Sequence, residues 1–556
     1  MKKYFLFMSV LASLFLAGCS QEEIAPDGED NGSGEANTSY MAVNLMSSDV
    51  KGTRAATGYE DGSEVENKVT SVRFYFFNGV GGAVNVKLQD GNYVNYYNWK
   101  PTASDDQSKD TNEGDDIESK LKATIVINTK EGDGIPQRIA AVINPTNLGS
   151  KSMSLTELKD VVANYATSNL TAEGNFVMFN AVYASGGAQV STVAITDKNL
   201  CKAEDEALKN PVTIYVERSV AKVRVILDNT KMSYDADKGL ALKNKDGNSL
   251  SVDGQQVYLK LEGWDLTAET SEGRLVKKIN PGWAGTWWNG TYRSFWAINA
   301  MNATNQYHTY SSIGTPFGAN NALYTNENAQ LTDIDSTNGQ ATKKTKVILK
   351  GQLRKEDGEP LTIVRHLGVH FADDANQSKL KKSILNQLAA SGHNYYYKKE
   401  NGREQIGTDD LLIVIASQLE NEDSKNNCYV YAQLTDAAKA KVWYNSLEEN
   451  VQPIDNAATE INGKLADKKV VDRALVWKDG MTYYFYEIKH LESEKGVVRN
   501  HIYETNVTQI AGLGTPVYDP AQVVYPEKPD PNDHFIAAQI NILSWRFVKN
   551  DYELEW

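Results

Sequence analysis

The stretch VTIYVERSVAKVRVILD, residues 212–228, decides the fold class of this chain. Apolar and polar side chains alternate along much of it, and it is rich in valine and isoleucine, which favour strands. A period of two places successive side chains on opposite faces of a sheet. The stretch therefore predicts a long β-strand.

Segments of the same kind recur on both sides of it, separated by Gly, Asn, Asp and Pro. Helical patterns are few. Residues 154–165 begin with a capping box from Ser154 to Glu157, residues 378–392 carry an apolar stripe, and a third candidate starts at Thr435. Many strands with sparse helices indicate an all-β protein built from β-sandwich domains. The other strand segments are VTSVRFYFFNG, KATIVIN, RIAAVINP, QVYLKLEGWDL, KVILKGQL, LTIVRHLGVHF, LLIVIASQL, CYVYAQL, TYYFYEIKHL and HIYETNVTQI.

Length and charge narrow the classes of protein further. A chain of 556 residues exceeds a single core, so two or three domains are expected. We place a boundary near residue 230, where the long strand gives way to the polar run NTKMSYDADKGLALKNKDGN. The formal charge of −15, without a cluster of Lys and Arg, argues against nucleic acid as a partner.

The first 19 residues form an export signal. The basic start MKK precedes an apolar run at residues 5–17, which is too short to span a bilayer permanently. The run ends in LAGC, which matches the lipobox of bacterial lipoproteins, so Cys19 is predicted to be diacylated. Two acyl chains give firm anchoring. The alternative is an ordinary secretory signal followed by an incidental cysteine.

Two further features lie between Cys19 and the first domain. The acidic, Gly- and Ser-rich run after Cys19 predicts a flexible tether. It leads into a short alternating strand with Met41, Val43 and Leu45 on one face. The following KGTRAATGYEDGSE has little apolar content, so Arg54 is expected on an exposed, protease-accessible loop.

The C-terminal end combines a proline-rich segment with a strand. Five prolines fall within residues 516–531, which predicts a stiff, extended arm that cannot join a sheet. Beyond it the alternation returns, with Ile536, Ala538, Ile540 and Ile542 on one side. A lone strand cannot satisfy its own backbone, so this one must dock somewhere.

The chain offers no recognisable catalytic or cofactor motif, and we expect neither an enzyme nor a bound cofactor. It lacks a nucleophile elbow, a Walker loop, HEXXH and paired CXXC motifs. His366 and His370 are four residues apart, but in a strand pattern they would merely face the same side, so no metal site is predicted. Cys201 and Cys428 lack metal-like spacing, and we expect them to be two independent buried thiols. A single disulfide between them is the alternative.

A cluster of aromatic residues leaves a second function open. Trp283, Trp287, Trp288 and Trp296 fall within one short segment, PGWAGTWWNGTYRSFWA. Indole faces suit the apolar faces of sugar rings, so the cluster could be a glycan-binding platform. Tryptophan in a large sandwich more often fills the core or covers its edge, and we favour that interpretation.

Several segments, taken in their order, resemble the fimbrillin family of the type V pili of Bacteroidales. VTIYVERSVAKVRV is similar to a V-E-R-S-V-A-K/R strand of that family, and GNFVMFNA to the short strand before it. VVRNHIYETNVTQI, a Pro/Asp linker and INILSWRFVKNDYELEW resemble the family's closing module, with Arg499, Asn500, Tyr503 and Trp545 in matching places. Within the family the chain is most similar to the major subunits of short, or minor, fimbriae.

The resemblance implies two transthyretin-like β-sandwich domains with an extended C-terminal donor strand. The implied organisation is a signal peptide at residues 1–19, a propeptide at 20–54, sandwiches at 55–230 and 231–515, a proline-rich arm at 516–534 and a donor strand at 535–556. The implied donor residues are Phe535, Ile536, Ala538, Ile540, Ile542, Leu543, Trp545 and Phe547.

The resemblance also implies a maturation route. A lipidated precursor reaches the outer-membrane surface, and an Arg-specific surface protease cuts after Arg54 to leave Ala55 as the new N-terminus. The cut removes the temporary strand of Met41, Val43 and Leu45, and the C-terminal strand of a neighbouring copy, residues 535–548, replaces it. That strand is expected to be longer than the one it replaces.

The expected product is a head-to-tail homopolymer, the stalk of a fimbrium that serves cell adhesion, biofilm formation and virulence. Its implied partners are fimbrial anchor and tip subunits and host or bacterial receptors. A tip or accessory fimbrial subunit and a glycan-binding surface lipoprotein remain as alternatives.

Overall fold

The computed structural model describes residues 38–48, 62–88, 90–102, 108–109, 117–129, 134–185, 188–244, 246–279, 297–300, 303–329, 343–422, 425, 428–490, 496–526, 535–544 and 547–548. Strands dominate these residues and the helices are few and mostly short. The all-β prediction is therefore confirmed.

The N-terminal body is built on one mixed sheet. The sheet runs in the order β5-β2-β8-β10-β14-β1-β7-β6, and β13 also pairs with β8. Its strands contribute buried apolar side chains such as Phe74, Ile125, Ile143 and Ile214 to one core. The elements are β1 Thr38–Ser48, β2 Val72–Phe77, β3 Val86–Lys87, β4 Tyr93–Val94, β5 Tyr96–Trp99, β6 Ser108–Lys109, β7 Ile117–Asn128, β8 Arg138–Ile143, β9 Val162–Ala163, β10 Met178–Asn180, β11 Tyr183–Ser185, β12 Ala188–Val190, β13 Val193–Ala194 and β14 Val212–Arg218, with helices α1 Glu64–Asn67, α2 Leu155–Lys159 and α3 Glu204–Ala207.

The C-terminal body begins directly after β14. Its elements are β15 Val220–Leu227, β16 Leu240–Ala241, β17 Ser251–Val252, β18 Gln255–Gln256, β19 Tyr258–Thr267, β20 Glu269–Thr270, β21 Gly273–Arg274, β22 Asn305–Gln306, β23 Ala322–Asn326, β24 Lys346–Arg354, β25 Ile363–His366, β26 Val369–Ala372, β27 Tyr396–Lys399, β28 Gly402–Gln405, β29 Leu411–Ile415, β30 Tyr429–Leu434, β31 Trp443–Tyr444, β32 Ala474–Trp477, β33 Met481–Glu487, β34 His501–Ala511, β35 Thr515–Pro516, β36 Phe535–Ser544 and β37 Phe547–Val548, with helices α4 Asn229–Met232, α5 Ser378–Ala390, α6 Asp436–Lys439 and α7 Ala457–Ala466.

Two sheets of this body enclose a common core. One runs β23-β15-β34-β36-β37 and the other β16-β19-β24-β33-β35. Val223 and Tyr503 from the first sheet and Trp264 and Leu349 from the second share a cluster of buried side chains. This arrangement of two sheets around an apolar core is a β-sandwich.

An additional layer is inserted between β24 and β33. It contains the sheets β26-β25-β32-β30-β29 and β28-β27-β31. Helices α5 and α7 cover it and bury Leu388 and Ile461 in a core of its own. Helix α5 forms as its spacing predicts, because Leu380, Ile384 and Leu388 recur every four residues and are all buried. The sandwich expected at residues 231–515 therefore carries a helix-covered insertion.

Residues 212–228 form two strands rather than the single long strand predicted. Strand β14 belongs to the N-terminal sheet and β15 to the C-terminal sandwich, with Ser219 between them. Val216 packs in the first core and Val223 in the second. The chain thus passes from one body to the other through a bend at Ser219, with no loop between the two strands.

Other local predictions are partly right. The Ser154–Glu157 capping box is present, but its helix ends at Lys159 because the following residues pair as β9. The helix predicted from Thr435 covers only Asp436–Lys439. LTIVRHLGVHF is a hairpin of β25 and β26 rather than one strand.

Candidate functional site

Strand β1 lies inside the N-terminal sheet, although it comes from the segment that precedes Arg54. It pairs antiparallel with β7 along its whole length, from Thr38 opposite Asn128 to Ser48 opposite Ile117. On its other side it pairs parallel with β14, with Val43 opposite Val212. Without β1, the facing edges of β7 and β14 would both lack a hydrogen-bonded neighbour.

The described side chains of β1 are deeply buried. Met41 and Val43 are fully buried in the N-terminal core, and Ala42 is buried on the opposite face. Met41 lies opposite Ile125 and Val43 opposite Ala123. Leu45 is paired with Leu121 and Ile214 in the backbone register, and its side chain lies outside the described residues.

The position of β1 defines what its removal would expose. The residues that flank it on β7 and β14 alternate with period two and form an apolar floor. Any replacement strand would need the same period, because only alternate side chains reach that floor. The floor residues are Leu121, Ala123, Ile125, Ile127, Val212, Ile214 and Val216, all of which are buried.

The N-terminal half of β1 has a third neighbour. The Tyr40 amide donates to the Cys201 carbonyl at 2.7 Å, and the Cys201 amide donates to the Tyr40 carbonyl at 2.9 Å. The predicted cleavage site, Arg54 and Ala55, and the lipidation site Cys19 lie outside the described residues. The described chain resumes at Gly62, close to helix α1.

The C-terminal strand docks on its own chain. Strand β36 pairs antiparallel with β34, from Phe535 opposite Ala511 to Ser544 opposite His501, with a register shift after Val507. Ile540 and Ile542 lie opposite Thr505 and Tyr503, whose side chains are buried. Leu543 pairs with Phe547 of β37, and Trp545 lies outside the described residues. The C-terminal strand was expected to dock on another strand, and in this structure that strand is β34.

The two strands have similar lengths, which differs from the expectation of a longer C-terminal strand. Strand β1 has 11 residues and β36 has 10. The sequence predicts the first strand at Tyr40 to Ser47, and pairing with β7 extends it by two residues at its start and one at its end.

The first part of the proline-rich arm is folded onto the sandwich. Pro516 ends the short edge strand β35, which pairs with β33, so the expectation that this segment cannot join a sheet is wrong at its start. An edge strand tolerates proline because no partner there requires its missing amide hydrogen. Further on, the Ser311 and Tyr310 amides donate to the carbonyls of Pro520 and Gln522, and the Lys346 ammonium donates to the Pro526 carbonyl. Residues 527–534 lie outside the described residues.

A buried ionic network joins the two bodies where β14 passes into β15. The Lys277 ammonium lies 3.2 Å from the Glu217 carboxylate, and both side chains are almost fully buried. Arg499 Nε donates to Glu327 Oε2 at 2.9 Å, and its Nη1 donates to the Leu275 carbonyl. Burial raises the pKa of Glu217, although Lys277 and Arg499 oppose that effect.

A second set of charges lies on the other side of the same crossing. Lys222 Nζ is 3.1 Å from Glu66 Oε1, and Tyr324 donates to the same oxygen at 2.8 Å. Arg218 contacts the Asn67 and Asn500 side chains. Burial alone would raise the pKa of Glu66, but Lys222 and Arg218 hold it below its usual value. The VERSVAK stretch therefore supplies charges on both sides of the junction.

The remaining candidates are the two histidines, the two cysteines and the tryptophan cluster. His366 lies on β25 and contacts Ser383 Oγ at 2.8 Å, while His370 lies on β26. No group of three or more His, Cys, Asp or Glu there is placed to hold a metal ion. Cys201 and Cys428 are not joined by a disulfide, and both are half-buried rather than buried as expected. The tryptophan cluster at residues 283–296 lies outside the described residues.

Among the described helices none is long and apolar enough to cross a membrane.

Comparison with known proteins identifies the C-terminal segment. Residues 476–551 match the family model described as major fimbrial subunit protein type IV, fimbrillin, C-terminal. The segment includes β33, β34, β35, β36 and β37. It covers most of the closing module, up to residue 551, and the match confirms the resemblance to the fimbrillin family. No curated protein matches the chain.

Solved structures show similarity over most of the chain at low sequence identity. A fimbrilin (FimA) from Porphyromonas gingivalis W83 is 13% identical, with 90% of this chain and 96% of that chain covered and a TM-score of 0.38. A putative cell adhesion protein from Bacteroides eggerthii is 9% identical, with 90% and 95% covered and a TM-score of 0.35. The tip fimbrial protein Mfa3 from Porphyromonas gingivalis is 11% identical, with 92% and 100% covered and a TM-score of 0.31.

Proposed function

Since the C-terminal part of the chain is a fimbrillin C-terminal module, we propose that the protein is the stalk subunit of a surface fimbrium. It is exported as a precursor lipidated at Cys19 and cut by an Arg-specific protease between Arg54 and Ala55. It then polymerises by strand exchange. The strand that leaves is β1, and the strand that replaces it is β36 of a neighbouring copy.

One observation carries the proposal. An inner strand of the N-terminal sheet is supplied by a segment that lies before the predicted cut, with β7 on one side and β14 on the other. An inner strand that can be removed leaves two edges to be paired at once. Such edges are templates for a strand from another chain.

The energetics favour replacement over an open slot. Met41 and Val43 are fully buried. Removal of each side chain from the core loses about 1.5–3 kcal/mol of hydrophobic stabilisation. Each main-chain hydrogen bond regained by a new strand contributes about 1 kcal/mol net. The alternating isoleucines of β36 supply the period that the floor requires.

The C-terminal strand must leave β34 before it can be donated. Its release costs the pairing with β34, and docking in the slot of a neighbour regains pairing with two strands, β7 and β14, instead of one. Head-to-tail contacts of this kind do not close, so they generate a filament. The described part of the arm ends at Pro526, and eight residues, 527–534, separate it from β36 in the sequence.

Partners and location follow from this assembly. The filament stands on the cell surface, joined to anchor and tip subunits, and supports adhesion to host or bacterial receptors and biofilm formation. A role as a tip or accessory subunit is the second candidate, because a tip would need the slot but not a donated strand. A glycan-binding lipoprotein that uses Trp283–Trp296 would keep its lipid and residues 20–54.

Two variants test the proposal in the organism that makes the fimbrium. Deletion of residues 535–556 should leave a cut, secreted protein that starts at Ala55 and gives no ladder on unboiled gels. Arg54→Ala should keep the chain uncut and attached to the membrane. N-terminal sequencing and gel ladders are the readouts. A wild-type ladder from the deletion, or surface material that still begins at Cys19 in the wild type, would rule the mechanism out.

A further inference from the structure

A cavity of about 610 Å³ opens on the inserted layer, away from both exchanging strands. Its floor is a row across three adjacent strands, because Arg365 lies opposite Leu475 and Leu475 lies opposite Tyr429. Leu367 of the β25–β26 turn and Glu422 also line it. Pockets for small ligands are commonly 300–1,000 Å³ with a few convergent polar groups, and this cavity has that size.

Arg473 brings an incompletely bonded guanidinium to the cavity wall. Its side chain is only 8% exposed. Nη2 donates to the Ala466 carbonyl at 2.8 Å and lies 3.5 Å from Glu422, while Nε and Nη1 have no hydrogen-bond partner among the described residues. Buried donors without acceptors cost free energy. Since neither of these two nitrogens is exposed, Arg473 acts on a ligand in the cavity through the positive charge of its guanidinium and not through these donors.

The turn at the rim is held in a conformation that its residue disfavours. Leu367 has a φ of 53°, in the left-handed region, and Gly368 follows with a φ of 78°. Two-residue hairpin turns with both φ values positive prefer Asn-Gly, because the side chain of a residue such as leucine disfavours that backbone conformation. Leu367 is nevertheless 52% exposed, so packing does not repay the strain. Strain without structural benefit points to a function at the cavity rim.

The charges of the lining specify the class of ligand. The lining contains three cationic side chains, Arg365, Lys468 and Arg473. It contains two carboxylates, Glu422 and Asp472, so its net charge is one positive charge. Lys468 and Arg473 hold the pKa of Glu422 below its usual value, so Glu422 is an ionised hydrogen-bond acceptor. A fitting ligand carries one carboxylate for the cations and hydroxyl groups for the acceptors.

Tyr429 and Leu367 add an apolar surface that suits one face of a sugar ring. We propose that this cavity is a binding site for an acidic sugar, a monosaccharide unit with a single carboxylate. The site is independent of strand exchange, because none of its lining residues belongs to β1, β7, β14, β34 or β36.

The test is a titration of the purified full chain with D-glucuronate, N-acetylneuraminate and neutral D-glucose. Saturation-transfer NMR and calorimetry measure the binding of each sugar. At least one acidic sugar should bind at least ten-fold more tightly than glucose, and its affinity should fall as salt is raised. Equal binding of glucose, or no saturable binding of either acid, would overturn the proposal.

Three variants locate the binding. Arg473→Gln should weaken binding of the acidic sugar at least ten-fold, and Lys468→Gln, at an exposed side chain, several-fold without a change in folding. The matched control is Lys379→Gln, because Lys379 and Lys468 are 61% and 62% exposed and each pairs with a single carboxylate oxygen at about the same distance. An equal loss in the control would argue against the site.

Leu367→Asn separates ligand binding from stability. Asparagine accepts the left-handed conformation, so this variant should melt at a higher temperature than the wild type. It should also bind the acidic sugar several-fold more weakly, because the apolar rim is lost. A purely structural role for Leu367 predicts unchanged binding, which would count against the proposal.

Discussion

Tyr40 and Cys201 face each other in an antiparallel backbone bridge, and each amide donates to the other's carbonyl, at 2.7 and 2.9 Å. In such a doubly bonded pair the Cα atoms are about 5.5 Å apart, which lies within the range that a disulfide can span. The structure thus offers a natural thiol next to the strand that is proposed to leave.

Tyr40→Cys should therefore lock β1 in place under oxidising conditions. With Cys428→Ser in the background to prevent other pairing, the locked protein should still be cut at Arg54 but should not polymerise. Reductant should restore polymerisation, as followed by ladders on unboiled gels.

The same Tyr40→Cys change combined with Cys201→Ser provides the control, since it cannot form the bridge. It should polymerise with or without reductant. Polymerisation of the oxidised, cross-linked protein at the wild-type rate would show that β1 need not leave.

Ile540→Asp should abolish polymerisation, because its position in the strand alternation would place a charge against the apolar floor between β7 and β14. Ile540 lies opposite Thr505, which is buried, whereas the neighbouring Gln539 lies opposite Asn506, which is half-buried. Gln539→Asp is therefore the matched variant and should keep its ladder. Loss of the ladder in both variants would mean that polymerisation depends on the added charge itself and not on which face of the strand carries it.

Lys277→Met should lower the free energy of unfolding by about 3–5 kcal/mol, because it leaves Glu217 buried without its cation. Lys209, whose pair with Asp205 is 3.9 Å long and exposed, gives the control Lys209→Met, for which a change under about 1 kcal/mol is expected. Denaturant unfolding measures both. A small loss in Lys277→Met would show that the junction relaxes around the unpaired carboxylate.

Asp265→Asn should change the pH dependence of stability. Burial raises the pKa of Asp265 to about 6, above the value of about 4 in an unfolded chain. Folding then favours the protonated acid, so the contribution of Asp265 to stability is present below pH 4 and is lost as the pH rises through 6. Asparagine cannot ionise, so the variant should gain up to about 3 kcal/mol relative to the wild type between pH 4 and pH 7. A constant difference over that range would contradict the assignment.

The sequence predicts strands well here because local alternation determines them, as at residues 346–353 and 481–487. It does not predict which strands pair. Nothing in the composition of residues 38–48 shows that they enter between two strands, since that depends on partners far along the chain. Helix α7 is missed because its N-cap, Asn456, makes no side-chain capping bond and a glycine interrupts its pattern.

Some residues of the candidate site can be predicted from the sequence, and its strand pairing cannot. Met41 and Val43 could be chosen from the sequence because alternation marks them, and both are buried in the structure. The docking of residues 535–544 on β34 could not be predicted, because a strand with an apolar face fits any open sheet edge of matching period. The contacts of Glu217 with Lys277 and of Arg499 with Glu327 are equally beyond sequence reasoning, because the charged residues are far apart in the chain.

The unbroken passage from β14 to β15 has a mechanical consequence. In the proposed filament the incoming strand lies beside β14 in one body, while β15 pairs with β34 in the other. A pulling force therefore passes from one body to the next through the backbone itself, with only the bend at Ser219 between the two strands. Where the force follows β14, it acts along the strand and loads many hydrogen bonds with the incoming strand together instead of peeling them one by one. The fibre should resist shear flow better than the stability of either body alone would suggest.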